Sequence, residues 1–142
     1  MAVKRADILT GSRVQKDFFS DFVTSFGKTP VGNQLGRVTD YNSVNQSLRN
    51  LIKTNLGERL FQPMVGSDVY AMLFEHNINE NLSTLELFIE NTINNNEPRA
   101  QLIGTTVLPD VSNENQIEVT IVYNLINNPE PITLNILLKR VR

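Results

Sequence analysis

The chain has 142 residues, the length of one compact domain, and with 40% hydrophobic and 20% charged residues it can build a core and lies far from the composition of disorder. Its 13 basic and 15 acidic residues leave a formal net charge of -2 with no long runs, so there is no broad positive field to attract nucleic acid. With no cysteine, disulfides and thiolate metal sites are excluded, and the single histidine, His76, cannot build an imidazole cluster.

The N-terminus (Met1, Lys4, Arg5, Asp7) lacks the apolar stretch of a secretory signal, and no segment is long and apolar enough to cross a bilayer; a soluble protein made in the cytoplasm is expected. Residues 1–39 carry weak periodicity, with Gly11, Gly27, Gly32, Gly36 and Pro30, and are expected to form an extended N-terminal segment. Phe18, Phe19, Phe22 and Phe26 stand out there. Burying each ring would contribute a few kcal/mol, about 2 by transfer arguments, so the rings dock either on the domain's own core or on a neighbouring subunit.

From Asp40 the pattern becomes helical. Val44, Leu48, Leu51 and Ile52 share one face, with Asn45, Arg49, Asn50 and Lys53 on the other. Ser43 with Gln46 offers a capping box, Asp40 offers a cap one turn earlier, and Gly57 suits the position just past the end. Leu60 to Pro63 reads as extended. A short helix follows Gly66, capped by Ser67 or Asp68, with Val69, Met72 and Leu73 on its apolar face. Asn77, Asn79 and Asn81 mark a break, after which a third helix is expected from Ser83, boxed with Glu86 and carrying Leu85, Phe88, Ile89 and Ile93 on one side. Asn94 to Asn96 and Pro98 end it.

Beyond Arg99 the period shifts to two. Ala100 to Leu108 is rich in β-branched residues, with Pro109 and Asp110 opening the next loop. Ile117, Val119, Ile121, Tyr123 and Leu125 alternate with Glu118, Thr120, Val122 and Asn124, and Ile132, Leu134, Ile136 and Leu138 repeat the device. Asn127 to Pro131 reads as the turn of an antiparallel hairpin. The expected fold class is α+β, with about three helices followed by a three-stranded antiparallel sheet and no internal repeat. Residues 40–142 form the single α+β domain in this division.

Chemistry is sparsely signalled. Glu58, Asp68, Glu75, Glu86, Glu90 and Glu97 are candidates for a glycosidase pair, but no spacing singles out two of them, and a solvated face is the simpler reading. His76 suits capping of helix carbonyls. No nucleophile elbow or phosphate-binding loop occurs. Two polar triplets remain at joints of the chain, Gly57-Glu58-Arg59 and Glu97-Pro98-Arg99, where the proline of the second fixes how Glu and Arg project. Either they make local ion pairs, worth about 0–1 kcal/mol if exposed, or they dock a partner through planar arginine bonds.

The run from Ser47 to Pro63, read as SLRNLIKTNLGERLFQP, followed by Gly66-Ser67-Asp68-Val69 and Leu73-Phe74-Glu75, resembles the baseplate wedge subunits of T-even-like contractile phages. Glu97-Pro98-Arg99, placed before the terminal sheet, matches that family's Glu-Pro-Arg motif; the resemblance covers about residues 40–140. It implies a virion tail protein, assembled in the host cytoplasm, that contacts other wedge subunits through Glu97, Pro98 and Arg99, with Glu58 and Arg59 as further partner-binding candidates. It also implies a sheet like the handshake fold of sheath subunits, which accepts strands from the first sheath ring and templates sheath assembly. A related component occurs in type VI secretion systems. A sheet of three strands exposes edges suited to strand addition, which agrees with this expectation.

No catalytic residue, cofactor, metal, nucleic acid, membrane or small-molecule substrate is expected. Two other functions are weighed against the structural one. A peptidoglycan-degrading muramidase is suggested by the abundant carboxylates and by the lysozyme-like label the family often carries, and a binding domain of the same fold could sequester a bacterial regulator.

Overall fold

Alternation of apolar and polar residues over two long segments produces strands that are buried on one face, and the rest of the molecule is arranged to cover that face. The computed structural model describes residues 17–29, 32, 34–73, 79–110 and 116–139. In chain order these form β1 (Ser20–Phe22), β2 (Arg37–Thr39), α1 (Asp40–Lys53), α2 (Val69–Leu73), α3 (Asn79–Asn96), β3 (Ala100–Pro109), β4 (Gln116–Leu125) and β5 (Asn128–Lys139). The readings placed on residues 1–16, Pro30, Phe74, Glu75, His76 and Asn77 lie outside the described residues.

The α+β expectation holds: three helices precede an antiparallel sheet of order β3-β4-β5, and a small antiparallel pair, β1-β2, is added before them. Ile117, Val119, Ile121, Tyr123 and Leu125 of β4, with Leu134, Ile136 and Leu138 of β5, bury against Val44, Leu48 and Ile52 of α1 and Leu85, Ile89 and Ile93 of α3. Val69 and Leu73 of α2 close the same cluster. Each of these large side chains contributes about 1.5–3 kcal/mol by leaving water. Among the described residues nothing covers the other face of the sheet, where Thr106, Leu108, Asn135 and Leu137 are exposed.

Several local expectations give way to tertiary partners. The segment before α1 is a hairpin and not simply extended chain: β1 and β2 pair from Ser20↔Thr39 to Phe22↔Arg37, and Lys28 bridges Leu35 beyond them. Of its four rings only Phe19 packs against the core; Phe18, Phe22 and Phe26 are exposed. Neither expected cap of α1 forms. Thr39 is the N-cap and makes no side-chain bond, Ser43 Oγ is buried without a partner, and the helix ends at Thr54, so Gly57 belongs to the following loop. Ser67 caps nothing either: its hydroxyl donates to Ile52 O at 2.6 Å, tying the loop to the end of α1. The third helix starts at Asn79, so Asn79 and Asn81 lie inside it, and Glu86 reaches out of the helix to accept Val107 N–H at 2.8 Å.

The turn between β4 and β5 is tighter than the run of Asn and Pro suggests. Only Ile126 and Asn127 form it, and Pro129 and Pro131 lie in β5 itself. A register irregularity there leaves Pro129 and Glu130 unpaired between Leu125↔Asn128 and Asn124↔Pro131. Proline is tolerated because β5 is an edge strand and the bulge needs no donor. In β3 a similar bulge leaves out Ile103, which is exposed. Pro109 ends β3 within the strand rather than in the loop.

Candidate docking site

The corner between α3 and β3 is built by main-chain bonds that carry the helix into a turn. Glu97 N–H donates to Ile93 O at 2.8 Å, and Ala100 N–H donates to Glu97 O at 3.2 Å, which places Pro98 second in a four-residue turn, where its fixed φ fits. Pro98 is exposed. Glu97 is not: it is 4% exposed, and its side chain points inward. Arg99 Nε donates to Glu97 Oε1 at 2.6 Å and Nη2 to Oε2 at 2.7 Å, a two-pronged pair, while Ser47 Oγ of α1 donates to Oε2 at 2.5 Å. Burial pushes the Glu97 carboxyl up, but the bonds from Arg99 and Ser47 outweigh it and hold the group below the ordinary 4.5. The same pair raises the Arg99 guanidinium.

Arg99 remains about one-third exposed and lies over the ring of Phe19, 5.6 Å from its centroid. The hairpin is fixed there a second time. Asp40, at φ 49°, turns its carboxylate back to accept Phe18 N–H at 2.9 Å and Phe19 N–H at 3.5 Å, while its own N–H donates to Phe19 O at 2.8 Å. Gln46 adds a third tie, accepting from Thr24 N–H and donating to Phe22 O. Nearby Tyr123, buried in β4, donates its hydroxyl to Asn45 Oδ1 at 2.9 Å; burial first, and the charge of Glu97 second, push its pKa up to about 12.

Glu58 and Arg59 sit elsewhere, in a loop of successive turns after α1. Asn55 N–H donates to Glu58 Oε2 at 2.9 Å, Gly57 N–H to Pro63 O at 2.8 Å, Gln62 N–H to Arg59 O at 3.2 Å and Val65 N–H to Gln62 O at 3.0 Å. The segment from Leu60 to Pro63 is therefore turned and not extended. A parallel bridge, Asn55↔Ser67, closes the loop at its base. At the bridge Gly66 packs so close that a Cβ would stand 2.8 Å from the backbone of Thr54 and Asn55. This ordered loop holds Leu60, Phe61 and Met64 at 90%, 97% and 84% exposure. The alternation and helix periods contained no sign of these three; the only available hint was four large apolar residues between Gly57 and Gly66.

The two triplets are thus not one surface by direct contact: Glu97 and Arg99 pair with each other, and Glu58 pairs with the backbone of its own loop. Among the described residues no group of three or more His, Asp or Glu could hold a metal ion. The two edges of the main sheet also differ. β3 is met by α3 through Glu86, whereas β5, twelve residues long, pairs among the described residues only with β4.

The model of the family described as baseplate wedge protein gp25 matches residues 38–130. Baseplate wedge protein gp25 of Enterobacteria phage T4 is 34% identical over 90 residues, which span 63% of this chain and 67% of that protein. The fold is similar to that of a candidate tail lysozyme from Geobacter sulfurreducens, with a TM-score of 0.66 at 21% identity over 71% of this chain and 91% of that one. It is also similar to a chain of the anti-feeding prophage baseplate, with a TM-score of 0.60 at 21% identity and 87% coverage of both chains. A chain of a type VI secretion baseplate complex matches with a TM-score of 0.60 at 14% identity, over 71% of this chain and 93% of that one. On the family model and the T4 relative together, this chain belongs to the baseplate wedge protein gp25 family of contractile phage tails.

Proposed function

We propose that the protein is a non-enzymatic structural subunit of the virion tail, assembled in the host cytoplasm, that docks on the wedge core and receives a strand from the first ring of sheath subunits at the free edge of β5. The single observation that carries this reading is the asymmetry of the sheet. Among the described residues β5 pairs only with β4, leaving its other edge without a strand partner beyond Pro131, while the opposite edge of the sheet is met by Glu86. An open edge offers unpaired main-chain donors and acceptors to another chain and needs no catalytic group. The likeness expected to the sheath handshake fold belongs to the same reading. Residues 40–142 serve as the wedge domain and 1–39 as an arm, whose described part is held through Phe19, Asp40 and Gln46.

Docking on the wedge is assigned to Pro98 and the exposed part of Arg99, with Glu97 fixing the guanidinium from inside, and to the loop of Glu58 and Arg59, where Leu60, Phe61 and Met64 stand in water. Buried apolar anchors beside arginine are what interface centres use.

The muramidase reading draws on the name of the Geobacter relative. It needs a carboxylic acid with a raised pKa, and the buried carboxylate Glu97 is lowered. Glu58 and Glu86 are engaged with backbone N–H groups. Purified protein incubated with peptidoglycan is expected to release no fragments; turnover that one carboxylate substitution abolishes would overturn the structural reading. The decisive experiment is cryo-electron microscopy of an intact tail containing this chain. Sheath density continuing the sheet beyond β5 supports the proposal, and a β5 edge lying in solvent refutes it.

A further inference from the structure

The polar face of α1 and the hairpin beside it form an open groove of about 340 Å³ that the wedge reading does not use. Asn42, Arg49, Asn50 and Lys53 line one wall, and Thr24 and Val38 the other. Two further lining groups are spent within the fold, since Asn45 accepts from Tyr123 and Gln46 holds the hairpin. Among the described residues Asn42, Arg49, Asn50 and Lys53 find no side-chain hydrogen-bond or ion-pair partner, so two exposed cations and two exposed amides line one concavity.

Among the described residues no carboxylate lines this groove, although Asp21 accepts from the lining Gln46 Nε2 at 3.5 Å, in a chain with more acidic than basic residues. Arg49 and Lys53 are four residues apart on one helix, a like-charge spacing that weakens the helix. The helix dipole accounts for Lys53, which sits in the last turn, but Arg49 lies a turn earlier and gains little from it. Among the described residues no carboxylate pairs with either cation.

We propose that this groove binds an acidic segment of a partner protein, whose carboxylates pair with Arg49 and Lys53 and accept from the amides of Asn42 and Asn50. Charge complementarity selects the occupant. A nucleic acid is a poorer fit, because two cations neutralise few phosphates and the net charge of -2 opposes the rest. The inference rests on the groove alone and stands or falls independently of the sheath-strand proposal.

The test is a nuclear magnetic resonance titration of the full chain at low ionic strength with three probes. These are a ten-residue peptide rich in glutamate, the same peptide with glutamine in every glutamate position, and a ten-nucleotide single strand of DNA. The glutamate peptide is expected to give saturable shifts at Asn42, Arg49, Asn50 and Lys53, about tenfold tighter than the glutamine peptide and weakened by salt. Arg49→Glu should weaken it by about tenfold or more; the new glutamate stands four residues before Lys53, the favourable order, so the helix is kept. Equal binding of the two peptides, unchanged affinity in Arg49→Glu, shifts centred on another surface, or tighter binding of the oligonucleotide would each overturn the proposal.

Discussion

Arg99→Ala is expected to destabilise the fold more than Glu97→Ala, although the two residues form one pair. Glu97 is the buried member and receives three hydrogen bonds, two of them from Arg99. Removing Arg99 strands a buried carboxylate with Ser47 as its remaining side-chain donor, a loss of about 3–5 kcal/mol for a buried pair broken on one side. The contact over Phe19 goes as well, worth roughly 0.5–1 kcal/mol. Removing Glu97 leaves a guanidinium that is already one-third exposed and can turn to water, so the cost falls to about 1–2 kcal/mol. Urea unfolding of both single variants and the double variant at neutral pH gives the cycle, with an expected coupling of about 1–3 kcal/mol. The pH dependence supplies a second readout. In Arg99→Ala burial stays while the side-chain bonds and charge of Arg99 go, so the Glu97 pKa in the folded state is expected to rise from its lowered position. That variant should therefore gain stability relative to the intact chain on acidification. Arg99→Ala costing no more than Glu97→Ala, or a coupling below about 0.5 kcal/mol, would refute the inward-facing brace.

In the intact chain a carboxyl held below 4.5 contributes stability that is present above that value and lost as pH falls through the folded pKa. Glu97→Gln should flatten the acid limb of a stability-versus-pH curve. Tyr123, raised to about 12, should give a late step in an ultraviolet absorbance titration, and its contribution is present below about 10 and lost as pH rises through about 12. Tyr123→Phe should remove that late step and cost about 1 kcal/mol by leaving Asn45 Oδ1 without its donor. Gly66→Ala should cost about 2–3 kcal/mol or more in thermal unfolding, because the added carbon meets backbone at 2.8 Å; Gly57→Ala, at φ 81° with open space around it, should cost only about 1 kcal/mol. Phe61→Asp should leave stability within about 0.5 kcal/mol and yet abolish co-purification with wedge subunits; retained co-purification would remove that loop from the docking surface.

Local periodicity dictates the sheet and the helices that cover it. Ile117 to Leu125 and Ile132 to Leu138 must alternate because one face is buried, and Val44, Leu48 and Ile52 must share a helix face for the same reason. Burial repeats with the local period of the chain, so it is written in neighbouring residues. The partners of polar side chains are not. Gln46 and Glu86 have the spacing of capping boxes, yet one holds Phe22 and Thr24 of the hairpin and the other an edge amide of β3. Glu97 and Arg99 were marked by their place at a joint, but their inward turn depends on Ser47, 50 residues away, and on Phe19, which only the assembled fold brings to them. Leu60, Phe61 and Met64 are apolar by sequence and exposed by tertiary arrangement, because the turns that close on Gly57, Pro63 and Ser67 hold them away from the core. A hydrogen-bonding group takes whichever complement lies within about 3 Å, and that distance is set by packing between segments remote in the chain.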